Sequence, residues 1–161
     1  MTLRILATGG TFDKHYNELN GSLGFGASHV PEALARGRMT VDTVLQQLPL
    51  LDSLDMGDAD RDRVLAACRS AAETAIVIVH GTDTMPETAA VLGAAKLDRT
   101  VVLTGAMIPY AIANSDALFN LGFACAAAQI LPVGVYVAMN GKIFTWDNVQ
   151  KNRAAGVFQA L

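Results

Sequence analysis

Four short, nearly continuous apolar runs, residues 3–7, 75–79, 100–103 and 133–139, punctuate the chain. Runs of this length, rich in β-branched residues and without polar alternation, suit strands covered on both faces, as in a parallel sheet. Each breaks off into a small polar turn: Thr8-Gly9-Gly10-Thr11, His80-Gly81-Thr82-Asp83-Thr84, Thr104-Gly105 and Met139-Asn140-Gly141. The second turn leads into a helix through the capping box Thr84-x-x-Glu87, with Pro86 in the first turn and Ala89, Val91, Leu92 and Ala95 following.

Helical spacing recurs elsewhere. Thr40 is placed to cap a short helix carrying Val41, Val44, Leu45 and Leu48, which Pro49 stops. Residues 50–56 then read as a short strand or loop bearing Ser53 and Asp55. Asp58, Asp60 and Asp62 form the acidic first turn of a helix through Val64, Ala67, Cys68 and Ala71; Arg63 and Arg69 stand where a calcium loop needs glycine and a carboxylate. Asn114, Ser115 and Asp116 are candidate caps for an apolar helix through Leu118 and Leu121. Asn140-Gly141 signals a hairpin into residues 142–144, packed by Phe144 and Trp146, and the tail beyond Trp146 has little apolar period.

Strands alternating with helices predict an α/β fold of three layers: a mostly parallel sheet with helices on both faces and a C-terminal β-hairpin. The polar turns then share one sheet edge, beside helix N-termini, where small ligands bind in such folds. Residues 12–30, glycine-rich and without a clean period, follow the first turn directly and read as a lid carrying His15 and Tyr16. Gly24-x-Gly26 is not a dinucleotide loop, because no strand precedes it and His29 takes the third glycine position.

Composition narrows the function. The 161 residues suit one domain, 52% hydrophobic, and a net charge of -3 leaves no basic footprint for nucleic acid. Cys68 and Cys125 sit among small helical residues and read as buried thiols of a cytoplasmic protein; no spacing suggests a metal. The first strand starts almost at Met1, leaving no expected signal peptide, and no apolar run is long enough for a membrane span.

No Gly-x-Ser-x-Gly elbow or phosphate loop is present. What remains is threonine hydroxyls, glycine N–H donors, one acid in the central turn, and lysines, a set suited to acyl transfer and specifically to amide or ester hydrolysis. Asp83 has two readings: it orients a lysine or binds a substrate amino group, or it merely caps the helix. His80 reads as a hydrogen-bonded strand-end residue, since no acid–His–hydroxyl order surrounds it. Lys142 and Arg153 read as solvated.

Leu6-Ala7-Thr8-Gly9-Gly10-Thr11 and the run from His80 to Thr88 resemble the two signature segments of the bacterial-type L-asparaginase/glutaminase family. Runs 105–109, 115–120 and 137–140 resemble further family segments in the same order, so the likeness covers nearly the whole chain. It is most similar to short-chain members containing only the amino-terminal domain. The resemblance implies hydrolysis of L-asparagine to L-aspartate and ammonia without a cofactor. It implies Thr11 as the attacking residue and Gly10 as part of the backbone cradle, with Thr82, Asp83 and Lys151 as a second catalytic group. It further implies Tyr16 as a lid tyrosine, and Ser53 as holder of the substrate α-carboxylate in a Ser-x-Asp context that includes Asp55. Gly81 joins the binding residues, and Asp83 also grips the α-amino group. Leu54 departs from the glutamine of many relatives, and the second domain of longer members is expected to be absent. A homo-oligomer is expected, with no nucleic-acid or membrane partner. A non-catalytic amino-acid-binding or regulatory domain, and an amidase of the same fold acting on another amide such as glutamine, remain alternatives.

Overall fold

The computed structural model describes residues 1–161. In chain order the elements are β1 (Leu3–Gly9), β2 (Lys14–Tyr16), β3 (Leu23–Phe25), α1 (Val30–Arg36), β4 (Thr43–Leu51), α2 (Asp58–Ser70), β5 (Ala75–Val79), α3 (Met85–Ala94), β6 (Thr100–Thr104), α4 (Ala117–Ile130), β7 (Gly134–Met139), β8 (Lys142–Thr145), β9 (Gln150–Asn152) and β10 (Val157–Gln159). Short 3-10 turns occupy Thr11–Asp13 and Ser53–Asp55.

Six strands form one sheet in the order β4-β1-β5-β6-β7-β8. Its first five are parallel, and β8 returns antiparallel to β7. Every residue of the central strands β5 and β6 is buried, as the apolar run of β5 and the apolar centre of β6, residues 101–103, require. Side chains alternate between two cores. Leu3, Ile5, Val77 and Val79 join Val30, Leu121 and Ala124 on the α1/α4 side. Leu6, Ile76, Ile78 and Leu103 join Val64, Cys68, Met85 and Leu92 on the α2/α3 side. The three-layer α/β expectation therefore holds. So does the hairpin: Asn140 and Gly141 take φ of 56° and 73°, the left-handed pair that a tight turn between twisted strands needs.

The helix expected over Val41–Leu48 is instead strand β4. It pairs in parallel with β1, Leu3 opposite Thr43 through Ala7 opposite Gln47. Helical spacing of apolar residues was present, but the backbone groups along β1's open side need partners, and β4 supplies them. Pro49 fits because β4 is an edge strand, where a missing N–H is tolerated.

Two cap expectations change. Thr84 makes no side-chain cap for α3; its hydroxyl donates to Ser53 O at 2.8 Å, and its N–H donates to Ser53 Oγ at 3.3 Å. Asp116 instead accepts from the Met107 and Ile108 N–H groups at 3.0 Å, ordering the loop after β6, while Ser115 Oγ accepts from Ala117 N–H. The tail without apolar period forms the β9–β10 hairpin, held by buried Phe158 and by Asn140 Oδ1, which accepts from Phe158 N–H at 2.9 Å.

Candidate active site

Three polar turns converge at the carboxyl end of the sheet. Gly10 follows β1 at φ 75°, and its N–H donates to Leu51 O at 2.8 Å. A Cβ on Gly10 would overlap the backbone of Gly81, so the turns after β1 and β5 pack main chain against main chain. A Cβ on Gly81 would in turn fall 2.5 Å from Ser53 Cβ and 2.6 Å from Ser53 Oγ. Glycine at both positions lets Thr11, Thr82 and the buried Ser53 be carried on adjoining segments. Thr84, bonded to both Oγ and the carbonyl of Ser53, ties the second and third of these together.

Lys151 reaches this cluster from β9. Its Nζ donates to Thr82 Oγ1 and to Asp83 Oδ1, each at 2.8 Å. Only 9% of the Lys151 side chain is exposed, against 30% for Asp83, so the pair is largely withdrawn from solvent and open on the Asp83 side. Lys151 lies opposite Phe158 in the β9–β10 ladder, so burial of Phe158 sets where the ammonium stands. Because the lysine already donates to Thr82 Oγ1, the threonine's own proton is free to point elsewhere.

Thr11 is half-buried on its 3-10 turn between Gly10 and Phe12. Tyr16 is 61% exposed on the β2–β3 hairpin, and Asp55 is exposed; neither hydrogen-bonds to the Lys151 cluster. Leu54 is exposed as well. Residues 14–25 form a hairpin, with Lys14 opposite Phe25 and Tyr16 opposite Leu23. Two groups that sequence reasoning missed anchor it. Asp13, fully buried, accepts from Ser28 Oγ at 2.9 Å and from His29 N–H at 2.8 Å; burial pushes its carboxyl up in pKa, against those two hydrogen bonds. Lys14 Nζ donates to Asp52 at 2.7 Å, and this hydrogen bond holds the Asp52 carboxyl below its ordinary range. Their positions, two residues after Thr11 and one before Ser53, were the available signal.

His80 is fully buried. Nδ1 stands 2.7 Å from Gly81 O, which can only accept, so Nδ1 carries the proton and Nε2 accepts from Thr88 Oγ1 at 2.9 Å. Burial lowers its pKa to about 4, which leaves a neutral structural imidazole at neutral pH. Cys68 and Cys125 are buried and unbridged, and burial pushes their thiols up to about 12 and about 11, which excludes them as nucleophiles. No group of three or more His, Cys, Asp or Glu side chains is arranged to hold a metal. No helix is long and apolar enough to cross a membrane. Arg153, expected to be simply solvated, is 65% exposed but has its Nε 3.7 Å from Asp83 Oδ1.

Fold and site together define a class: a three-layer α/β protein with a Thr–Lys–Asp cluster and a glycine-lined threonine turn on the carboxyl edge of its parallel strands. Residues 2–160 match the family model described as Asparaginase, N-terminal, and the chain belongs to the asparaginase family. Over 177 residues it is 30% identical to the "Probable L-asparaginase periplasmic" of Haemophilus influenzae, covering 96% of this chain and 47% of that one. L-asparaginase 1 of Escherichia coli K12 is 30% identical over 165 residues, covering 96% and 48%. The thermostable L-asparaginase from Thermococcus kodakarensis superposes with a TM-score of 0.89 at 32% identity, over 100% of this chain and 51% of that one. The chain thus spans about half the length of these relatives.

Proposed function

We propose that this protein is an amidohydrolase converting L-asparagine and water to L-aspartate and ammonia, with Thr11 as nucleophile. The observation that carries the reading is Lys151, hydrogen-bonded to both Thr82 and Asp83 on a turn whose Gly81 packs against Gly10. In this reading Asp83 receives the substrate α-ammonium through its exposed side, and Ser53 receives the α-carboxylate. The side-chain amide then lies against Thr11. Thr11 Oγ bonds to the amide carbon and the C–N bond breaks. The leaving NH2 group needs one proton to depart as ammonia: Thr82 gives the hydroxyl proton that points away from Lys151, and Lys151 replenishes it through the hydrogen bond already in place. Taking back the proton lost by Thr11 returns the relay to its starting state, so one proton is transferred net. Water then cleaves the aspartyl ester, regenerating Thr11. The N–H groups of the glycine turns are available to the developing oxyanion.

Replacement of Thr11 by Val is expected to abolish ammonia release from L-asparagine while the circular dichroism spectrum is unchanged. Full activity in that variant would refute the assignment of the nucleophile. Lys151→Met is expected to lower kcat by about 100-fold or more, the usual scale for losing an electrostatic or proton-transfer group. A panel of L-asparagine, L-glutamine and succinamate identifies the amide, and asparagine binding without turnover would move the reading to a binding domain. The groups invoked all lie between residues 10 and 151. A homo-oligomer belongs to the same proposal, supported by Phe119 and Ile130, 63% and 78% exposed on the charge-free helix α4, and tested by sedimentation. Two buried, unbridged thiols agree with the cytoplasmic location in this reading, which fractionation tests.

A further inference from the structure

Asp83 has two cationic neighbours of different character. Lys151 is built into the site, 9% exposed and hydrogen-bonded to Thr82 as well as to Asp83. Arg153 stands two residues further on, where β9 has passed into its turn, and approaches the same Oδ1 from the solvent side. At 3.7 Å and 65% exposure its guanidinium is close enough to share the carboxylate's charge but makes no hydrogen bond to it. Nothing else holds it: no other ion pair or hydrogen bond involves the Arg153 side chain.

The exposed part of Asp83 is the part that an incoming ligand can reach. A free amino acid brings its α-ammonium to that carboxylate, and there it meets a guanidinium already in attendance. Cation–cation repulsion, and the need to displace Arg153, fall only on ligands that carry the ammonium. An amide of the same length without the α-amino group meets no such opposition.

We propose that Arg153 is a specificity-determining residue that competes with the substrate's α-ammonium for Asp83, and so restrains the preference of the site for amino-acid amides over amides lacking the α-amino group. This rests on the assignment of Asp83 as the ammonium site under the proposed function. The contrary role, in which the guanidinium binds the α-carboxylate, acts on both kinds of amide alike, and this separates the two.

The test compares wild type with Arg153→Gln on L-asparagine and on succinamate, which is asparagine without its α-amino group. Exposed ion pairs change equilibria by about two- to fivefold. The variant is therefore expected to lower KM for L-asparagine by about that factor at unchanged kcat, to leave succinamate unmoved, and to lose most of its advantage in high salt, where exposed charges are screened. Equal rises in both KM values, or no change in that for asparagine, would overturn the proposal while leaving the amidohydrolase reading intact. If wild type releases ammonia from neither amide, the amidohydrolase reading fails instead. Calorimetric titration of the same two ligands then decides the Arg153 question on Kd, with the same pattern expected, and failure of both proteins to bind L-asparagine overturns it.

Discussion

Acidification should act on this fold through His80. The imidazole is fully buried between Gly81 O and Thr88 Oγ1, and burial lowers its pKa from 6.5 to about 4. The unfolded chain takes up a proton below pH 6.5 that the folded protein refuses until about pH 4, so acid favours unfolding throughout that window. Linkage puts the loss at about 1.4 kcal/mol by pH 5.5 and about 3 kcal/mol by pH 4, a large share of the roughly 5–15 kcal/mol that holds a domain together. Two carboxylates act beside it: Asp13, raised by burial, gains stability as pH falls, and Asp52, held down by Lys14, loses it chiefly as pH falls through and below its ordinary 3.8. His80→Asn isolates the imidazole, because an asparagine amide can still donate towards Gly81 O but does not titrate. Urea unfolding midpoints from pH 7.5 to 4.5 should fall more steeply for wild type than for the variant, by about 2 kcal/mol at pH 5. Carbon-bound proton shifts of the three histidines offer a direct check. A His80 resonance titrating near 6.5 in the folded protein, or parallel pH slopes for the two proteins, would refute the account of a neutral structural histidine.

Three further perturbations probe how the site is held. Phe158→Ala removes the buried anchor opposite Lys151 and should cost about 3–5 kcal/mol in urea unfolding. Ammonia release should fall with it, because the β9–β10 hairpin loosens; full activity would show that Lys151 is placed by something else. Gly81→Ala drives a Cβ to within 2.5 Å of Ser53 Cβ and 2.9 Å of its backbone nitrogen, so KM should rise at least about tenfold, alongside a stability loss of about 1–3 kcal/mol. Gly122→Ala is the matched control on α4: its Cβ meets nothing within 4 Å, and it should stabilise the helix by up to about 1 kcal/mol.

The sheet was legible because its evidence is local. The apolar runs within residues 3–7, 75–79, 100–103 and 135–139 suit strands covered on both faces, and the turn at Asn140-Gly141 takes two left-handed residues in succession. His80 was legible too, as a strand-end residue without the neighbours of a general base. The β4 strand was not, since Val41, Val44, Leu45 and Leu48 satisfy a helical spacing just as well, and only the unpaired side of β1 chooses between them. The caps misled for a related reason: a threonine or aspartate oxygen goes to whichever donor or acceptor lies nearest, and for Thr84 and Asp116 these belong to loops brought in by folding.

The division is sharpest at the site. The chain order alone determines that threonines, an acid and glycines end the strands of a parallel sheet, and hence that they gather on one edge. Whether they touch depends on contacts between segments far apart in sequence: glycine against glycine for residues 10 and 81, and a hairpin anchored by Phe158 that carries Lys151 across 69 residues of separation to Thr82. Arg153 shows the same limit, since its distance to Asp83 follows from how the last hairpin docks and leaves no trace in residue type or spacing. Local pattern is written in propensity and burial; pairing of distant polar groups is written only in the packing of the elements that bear them.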